Sequence, residues 1–427
     1  MSFALGVLPV VLLLLGFPIF LVLLAAVTVA LVFFMNLPYV VLHQNLFGAI
    51  DAFALLAVPF FIYAGELMGR GSVAQRIVDF VQAGIGRVPG SLGVTTVGTA
   101  TIFGAISGAS AATVATVGKA MLPAMRRANY PETFSAGLIT AVGAIDIIIP
   151  PSIPMIVYGA AAEESVPRLY AAGIIPGMMI AGMLAIYVVW RAHRGGFGPG
   201  VPFSMPAFLT ATGRGLWALG APFIILGGIY GGVFSPTEAA AVACVYAAIV
   251  TRFVFHELSY SDILEAAAAT VFFTAQILII VACAGVFSWL LTVNQVPAAM
   301  VAWLKGAEVS PWQFLLAVNI LFLAVGCFLD PLSAILLLTP LLVPVVKALG
   351  IDTVYFGIII TVNLAIGLFH PPFGINIFVA QTVLGLEVEK IYRGIIPFLF
   401  IYLIALVIIT YIPAVSLIGV QLLMGVR

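Results

Sequence analysis

The residues of this sequence that could do chemistry lie where long apolar stretches are interrupted. One interruption is "IDIIIPPSIP" at 145–154, and a second is "HPPFGINIFV" at 370–379. Proline lacks a backbone N–H and clashes with the preceding helical turn, so neither stretch can be one continuous helix. A broken helix exposes N–H groups that suit a carboxylate and carbonyl oxygens that suit a hard cation such as Na⁺. The candidate binding residues at the breaks are Pro150, Pro151, Ser152, Pro371, Pro372, Gly374 and Asn376.

Two further stretches, 90–122 and 311–346, are interrupted by Gly, Ser or Pro. The tip "SGAS" of the first offers hydroxyls and carbonyls to an ion or substrate, but such small residues also let membrane helices pack closely. Asp330 in the second is an intramembrane carboxylate, which is costly and by default functional. It is a candidate Na⁺ ligand and equally a helix cap, because Asp before Pro favours a helix start. The candidates in these stretches are Ser107, Gly108, Ser110, Thr113, Asp330 and Ser333.

Other polar residues admit both a functional and a structural interpretation. Asp146 could be an ion ligand, a proton-linked group or an inert residue facing a wet cavity. His370 could hydrogen-bond a substrate or brace the second break. Glu238 follows Ser235 in a capping-box pattern, which predicts helix initiation rather than chemistry. The remaining candidates before and after the second break are Thr361, Asn363 and Asn376.

The composition identifies the setting of these residues. Of 427 residues, 63% are hydrophobic and 7% are charged, whereas soluble proteins carry about 25% charged residues. The chain is therefore predicted to be an all-α polytopic membrane protein. A net charge of zero without a basic block argues against a nucleic-acid partner. The sequence has no phosphate-binding Gly-x-x-x-x-Gly-Lys-Ser/Thr loop and no hydrolase motif, so neither ATP-driven transport nor an enzyme is expected.

Apolar runs predict the elements that position the candidates. The predicted spans are 52–69, 133–162, 170–190, 216–234, 236–251, 267–291, 352–386 and 395–420. Region 3–36 is apolar throughout, but Gly16 and Pro18 could split it, so it forms one span or two. Each arm of 90–122 and 311–346 has about 15 residues, or roughly 22 Å of helix, short of the ~30 Å bilayer core. These two stretches are therefore predicted to be re-entrant hairpins, and the Lys and Arg distribution makes them enter from opposite sides.

Two regions of the sequence superimpose without gaps at one constant offset. This offset carries Pro150–Pro151 onto Pro371–Pro372, and it carries "GIIP" at 173–176 onto "GIIP" at 394–397. Together with the opposite hairpin orientations, this predicts an inverted-topology repeat with two re-entrant hairpins and two broken helices. Interrupted helices at corresponding positions of two inverted halves indicate a secondary transporter with its site near the bilayer midplane.

Five motifs in order resemble the large membrane subunit of tripartite ATP-independent periplasmic (TRAP) transporters. They resemble its early signature, first hairpin, first broken helix, Thr-Pro-Thr-Glu-Ala segment and second broken helix. They are "DAFALLAVPFFIYAGELM" at 51–68, "GAISGASAATVATVG" at 104–118, "IIIPPSIPMIVYG" at 147–159, "GGVFSPTEAAAV" at 231–242 and "HPPFGINIFV" at 370–379. Ser235 stands where Thr is usual, and Asp146 stands where an uncharged residue is expected.

The resemblance implies a Na⁺-coupled secondary transporter subunit of the bacterial inner (cytoplasmic) membrane. It would import a small organic acid, such as a C4-dicarboxylate or sialic acid, handed over by a periplasmic substrate-binding protein. A small four-helix membrane subunit is expected as a separate partner chain. An elevator mechanism is implied, in which a hairpin-bearing transport domain moves within the lipid bilayer against a scaffold. The expected Na⁺ ligands are Ser107, Gly108, Asp330 and backbone carbonyls near Pro150 and Pro371, and no ATP is required.

The repeat divides the chain into four expected regions. Residues 1–89 hold N-terminal spans and a cytoplasmic amphipathic segment of the scaffold, and 191–310 hold central scaffold spans. Residues 90–190 form the first repeat core with hairpin and broken helix. Residues 311–427 form the second, inverted repeat core with hairpin, broken helix and last span.

Two other functions remain open at the level of the sequence. A stand-alone Na⁺/carboxylate symporter would share the inverted repeat without needing a binding protein. The other is a channel or a membrane anchor. A channel would need a continuous polar lining, whereas the polar residues here cluster at two breaks. The sequence does not identify the substrate.

Overall fold

The computed structural model describes residues 3–35, 38–198 and 202–425, and the chain is built from α-helices. Asn36, at the end of the predicted apolar region 3–36, lies outside the described residues. In chain order the helices are α1 Leu8–Leu14, α2 Ile19–Ala30, α3 Tyr39–Ile50, α4 Ala57–Arg70, α5 Val73–Ile85, α6 Ser91–Ser107, α7 Ser110–Arg127, α8 Glu132–Val142, α9 Ile153–Ala162, α10 Val166–Gly195, α11 Met205–Tyr230, α12 Pro236–Ile249, α13 Tyr260–Val293, α14 Val296–Gly306, α15 Pro311–Gly326, α16 Pro331–Ala348, α17 Thr353–Gly367, α18 Ile375–Leu384, α19 Val388–Tyr411 and α20 Ala414–Met424.

The chain is a multi-pass membrane protein. Among the described residues, seven helices are long and apolar enough to cross a membrane. The helices α11 and α13 begin earlier than the apolar runs at 216–234 and 267–291 that predicted them. Hydropathy detects the part of a helix that lies in hydrocarbon, whereas capping and backbone hydrogen bonds set where the helix ends.

The helices near the two ends of the chain settle whether the N-terminal apolar region forms one helix or two, and they correct the predicted last span. The apolar region from residue 3 forms two helices, because the chain turns at Gly16 (φ +82°) and α2 folds back onto the turn Phe3–Val7. The predicted last span, 395–420, is wrong as a single helix. It divides between α19 and α20 at Pro413, which has no N–H to continue the α19 hydrogen-bond ladder.

The predicted repeat is confirmed by the helix bounds. The offset that carries Pro150 onto Pro371 also carries both ends of α7 onto the ends of α16, and the first residue of α8 onto that of α17. Each repeat comprises a hairpin (α6–α7, α15–α16), a broken helix (α8–α9, α17–α18) and a long last helix (α10, α19). The contacts are reciprocal, since α7 packs on α18 and α16 packs on α9, as a pseudo-two-fold relationship requires.

Charged residues tie the two repeats together at two of their helix ends. Glu132, at the start of α8, accepts hydrogen bonds from Arg126 (2.7 Å) and from Lys390 of the other repeat (3.3 Å). At the corresponding end of the second repeat, Asp352 caps α17 and lies 3.7 Å from Arg168 of the first repeat. The repeats are thus joined by ion pairs as well as by packing.

The helix α5 corresponds to the predicted amphipathic segment. Its buried face is Val73, Ala74, Ile77 and Val78, and it packs on α6 and α11. Glu257, in the loop before α13, holds its N-terminus by accepting hydrogen bonds from the Ser72 backbone N–H (2.7 Å) and Arg76 (3.3 Å). Burial acts to raise the pKa of Glu257, but these hydrogen bonds outweigh it and hold the pKa below its ordinary value.

Candidate functional site

Both hairpin tips and both helix breaks meet around one cavity of about 310 Å³. The helix α13, which lies outside the two repeats, forms its remaining wall. The lining residues are Gly108–Ala111 at the first tip, Asp330–Leu332 at the second, Ile147, Ile153 and Pro154 at the first break, Leu368, Ile375 and Asn376 at the second, and Phe273, Gln276, Ile277 and Ile280 of α13. Segments far apart in the sequence therefore form one ligand-sized cavity.

Four helices begin at this cavity. The first two residues of α7, α9, α16 and α18 all belong to its lining. The backbone N–H groups at a helix start have no partner within the helix, and the helix dipole is positive there. Asp330 already occupies two of these groups in α16. Ser152 caps α9 in a similar way. The N-termini of α7 and α18, which have no side-chain cap, remain to favour an anionic group in the cavity.

The first hairpin tip packs directly onto the first break. Gly108 has φ +61°, and a Cβ atom there would lie 3.2 Å from the carbonyl oxygen of Pro151. The Ser107 hydroxyl accepts a hydrogen bond from the Ala109 N–H (3.3 Å), which closes the turn. The Ser110 hydroxyl donates to the Gly143 carbonyl oxygen (2.7 Å). Gly108 and Ser110 line the cavity, whereas Ser107 shapes the tip behind it.

Asp146 is fully buried beside this junction. Its Oδ2 atom accepts a hydrogen bond from the Thr113 hydroxyl (2.6 Å), while its Oδ1 atom has no hydrogen-bond partner. The backbone of α6 approaches closely at Gly104, where a Cβ atom would lie 3.0 Å from Oδ1. Thr113 and Asp146 are thus brought together, next to the cavity rather than in its lining.

The residues of the first break itself shape the backbone. Ser152 caps α9: its hydroxyl accepts from the Met155 N–H (3.4 Å) and donates to the Ile147 carbonyl (2.5 Å). The peptide bonds Pro150–Pro151 and Pro371–Pro372 are both cis. Among Pro150, Pro151 and Ser152, none contributes to the cavity lining, and all three are buried.

In the second repeat, Asp330 caps α16 as the sequence predicts. Its Oδ2 atom accepts from the N–H groups of Leu332 and Ser333 (both 3.1 Å), and the Ser333 hydroxyl donates to its other oxygen. Asp330 also lines the cavity. A carboxylate that caps a helix still has lone pairs that can bind an ion. The predicted role of Asp330 as an ion ligand therefore stays a prediction.

Asn376 connects the two repeats at the cavity. Its amide nitrogen donates to the Ser110 hydroxyl (2.9 Å), and it approaches the Thr140 carbonyl oxygen (3.4 Å). Its position depends on Gly374, where a Cβ atom would lie 2.6 Å from the Leu368 carbonyl oxygen. The sequence marked Ser110 and Asn376 as separate candidates, and the fold makes them one hydrogen-bonded pair.

Several predicted site residues of the second repeat lie away from the cavity. Thr361 donates to the Gly357 carbonyl in its own helix (2.8 Å), and Asn363 donates to Asn319 of α15 (2.7 Å). The His370 ring lies 3.0 Å from the sulfur of Cys327, which favours a bracing role. The other residues of this break are held from outside: the Tyr392 hydroxyl donates to the carbonyl oxygen of Pro372 (2.7 Å), next to Pro371.

The sequence argument missed the wall formed by α13. Gln276 contributes a polar side-chain amide to this wall, and Phe273, Ile277 and Ile280 make the rest of it apolar. An isolated Gln in the middle of the predicted span 267–291 was the available signal. Its partners could not be identified from the sequence, because the contact with the repeats depends on lateral helix packing.

This architecture defines a polytopic membrane transport protein. The fold is similar to that of the YdaH transporter of Alcanivorax borkumensis, with a TM-score of 0.64 at 14% identity over 91% of this chain and 88% of that chain. It is also similar to MtrF of Neisseria gonorrhoeae, with a TM-score of 0.53 at 13% identity over 94% of both chains. At these identities the likeness shows the fold alone.

Sequence comparison supplies the family. Residues 6–415 match the model described as "Tripartite ATP-independent periplasmic transporter, DctM component". The chain is 42% identical over 376 residues, 87% of each chain, to the C4-dicarboxylate TRAP transporter large permease protein DctM of Pseudomonas aeruginosa. It is 40% identical over 410 residues to the ectoine TRAP transporter large permease protein TeaC of Halomonas elongata, covering 95% of this chain and 96% of that one. The chain therefore belongs to the DctM family of TRAP transporter large permease subunits.

One relative is longer than this chain. The isethionate TRAP transporter permease protein DctMQ of Oleidesulfovibrio alaskensis is 39% identical over 387 residues, which is 90% of this chain and 60% of that protein. These relatives are permease proteins of transporters, in agreement with the prediction that the chain is not an enzyme.

Proposed function

We propose that this subunit imports a small organic acid by Na⁺-coupled secondary transport. The observation that supports this most directly is the cavity at which α7, α9, α16 and α18 all begin. The two N-termini without a side-chain cap, those of α7 and α18, favour a carboxylate, and the apolar wall of α13 accommodates the carbon skeleton. A volume of about 310 Å³ limits the substrate to a small molecule.

The relatives do not narrow the substrate to one compound. Proteins between 39% and 42% identical to this chain are named for C4-dicarboxylate, ectoine and isethionate. We therefore propose a substrate class, a small carboxylate such as a C4-dicarboxylate or a sugar acid like sialic acid. The Ser110–Asn376 pair and Gln276 supply polar contacts that orient it.

The donor atoms near both hairpin tips fit Na⁺. They are hydroxyl, carboxylate and backbone carbonyl oxygens, the ligands that hard cations take in proteins. Ser107, Gly108 and the last turn of α6 would hold one ion at the first junction, and Asp330 with carbonyls near Pro371 would hold another. Bound Na⁺ would neutralise charge beside the substrate carboxylate. Coupling then requires that Na⁺ and substrate raise each other's affinity by the same factor.

We further propose that the two repeats move together as an elevator. Their reciprocal packing and the ion pairs at Glu132 and Asp352 hold them as one body. Several small residues lie where this body meets the scaffold. A second cavity of about 180 Å³ lies there, between Ala49 and Ala52, Ala160 and Ala161 of α9, and Ala284 and Gly285 of α13. Small side chains at such a boundary let one surface slide past the other.

The family suggests the partners and the location. We propose that the subunit works in a bacterial inner membrane with a separate small membrane subunit. A periplasmic binding protein would deliver the substrate. The name and length of the DctMQ relative support a second membrane component, because this chain matches 60% of that protein.

Uptake into proteoliposomes tests the proposal. The vesicles would contain this chain and a candidate small subunit, and would receive acids with their binding proteins, with and without an inward Na⁺ gradient. Accumulation that needs both Na⁺ and a binding protein is the expected result. Uptake independent of the binding protein would instead indicate a stand-alone symporter. Flux that neither saturates nor accumulates would indicate a channel.

A further inference from the structure

Asp146 breaks the pseudo-symmetry of the two repeats. The offset that relates the repeats carries it to Gly367, and carries its partner Thr113 to Ala334. In the second repeat the glycine serves close packing, since a Cβ atom at Gly367 would lie 2.6 Å from the Gly326 carbonyl oxygen. A carboxylate at the equivalent place in the first repeat is therefore not needed for the fold of a repeat.

The charge of Asp146 has no partner among the described residues. None of the ion pairs of the described chain includes it. Its neighbours are the hydroxyl of Thr113, the backbone of α6 at Gly104, and the backbone N–H groups of Gly108 and Ala109. A buried, unpaired carboxylate is costly unless something positive accompanies it. Its Oδ1 atom is buried without a hydrogen bond, so its capacity to accept a bond is unused.

The surroundings select the kind of cation. Asp146 lies against the last turns of α6, where backbone carbonyls lack helical partners and the helix dipole is negative. The Thr113 hydroxyl and these carbonyls would offer oxygen ligands, which suit a hard ion. No group of three or more His, Cys, Asp or Glu side chains that could hold a metal occurs in the described part of the chain. One carboxylate balances one positive charge, which favours a monovalent ion.

We propose that Asp146 is a direct Na⁺ ligand, which gives the first junction a charged ion site that the second repeat does not reproduce at the equivalent position. This rests on the proposed Na⁺ coupling and adds a second carboxylate, besides Asp330, to the proposed ion ligands. The carboxylate attracts the ion over the whole approach, whereas neutral oxygens act at contact distance only. Removing this charge should therefore weaken Na⁺ binding at the first junction.

Na⁺ binding to the purified subunit in detergent, without substrate, tests this directly. A ligand that binds only the folded state raises the unfolding temperature with its concentration. We expect Asp146→Asn to raise the Na⁺ concentration for half-maximal stabilisation by about tenfold or more, the scale of removing a unit charge from a buried site. Asp146→Gly, which installs the residue of the second repeat, should do the same. Asp79→Asn, on the exposed face of α5, is the matched control and should leave Na⁺ binding unchanged. Choline in place of Na⁺ controls for ionic strength.

Infrared difference spectra separate ligation from a structural effect. Adding Na⁺ to the wild-type protein should shift a carboxylate band that is missing in Asp146→Asn. If Asp146→Asn does not fold, Thr113→Val is the second variant. It removes one neighbouring oxygen while keeping the side-chain shape, and it should weaken Na⁺ binding relative to the wild-type protein. Unchanged Na⁺ affinity in the variants, or no Na⁺-dependent carboxylate band, would overturn the proposal. A wild-type subunit that binds Na⁺ but takes up no acid in proteoliposomes would count against the proposed function instead.

Discussion

The packing of α8 on α19 gives a prediction that can be worked out from the structure. Gly137 and Gly394 are buried where these helices cross. A Cβ atom on Gly394 would lie 2.1 Å from the carbonyl oxygen of Thr133 and 3.1 Å from the Gly137 Cα atom. Gly394 begins the repeated "GIIP", and its counterpart Gly173 is also tight, with a Cβ position 2.6 Å from the Ile148 carbonyl oxygen. Gly394→Ala must therefore move one helix backbone.

The expected cost follows from two opposing terms. Ordinary carbon–oxygen contacts begin near 3.4 Å, so α19 must shift by more than 1 Å, and the obstacle is backbone that cannot rotate away. Overpacking of this kind costs about 3 kcal/mol at the upper end of its usual range. Replacing Gly by Ala in a helix returns about 1 kcal/mol. The net expectation for Gly394→Ala is a destabilisation of about 2 kcal/mol.

Unfolding of the purified subunit by denaturing detergent, followed by circular dichroism, measures this difference. The matched control is Gly182→Ala in α10, where a Cβ atom would have no neighbour within 4 Å. The control replaces a helical glycine where there is room for a side chain, so it should leave stability unchanged or raise it by up to about 1 kcal/mol. Equal stability of wild type and Gly394→Ala, or equal loss in both variants, would refute the close crossing.

Three further predictions concern the cavity and the α5 anchor. Asn376→Leu removes the hydrogen bond to Ser110, so it should reduce substrate affinity at least tenfold while Na⁺ binding to the detergent-purified subunit changes less; equal losses would contradict a substrate-orienting role. Asp330→Asn keeps the helix cap, whereas Asp330→Ala loses about 1 kcal/mol of capping; if Asp330 ligates Na⁺, both should weaken Na⁺ binding, and only the alanine should lower stability. Glu257→Gln should lower the unfolding temperature at pH 7. Because hydrogen bonds from Ser72 and its neighbours hold the Glu257 pKa below the ordinary value, that difference should be full above about pH 4.5 and vanish as the pH falls through the lowered pKa. A difference that persists in acid would contradict the assignment.

Local chemistry made much of the architecture predictable. Doubled prolines fix where a helix must break, and they mark α8–α9 and α17–α18 without reference to anything distant. The Ser235–Glu238 capping box is present as predicted, with both of its hydrogen bonds. The repeat was also readable, because the same backbone events recur at a constant spacing. The helices α3 and α14 were not predicted, because each is too short to be recognised as a membrane span from hydropathy.

The lateral arrangement of helices was not predictable in the same way. Lipid is as apolar as a neighbouring helix, so hydropathy says that a helix is in the membrane but not which helix lies beside it. The bracing contact between His370 and Cys327, and the wall that Gln276 contributes from α13, depend on this arrangement. Candidate residues could therefore be named from the sequence, but not sorted into those that line the cavity and those that support it.

The sequence by itself determined the membrane class, the repeat, the positions of the two breaks and the resemblance to the family, because each follows from short-range backbone rules or from ordered motifs. Only the tertiary structure decided that Ser110 and Asn376 form one pair, and that four helix N-termini share one cavity. It also decided that the Asp146 carboxylate is buried with one oxygen that has no hydrogen bond. These features depend on contacts between segments that are distant in the chain, and only packing brings such segments together.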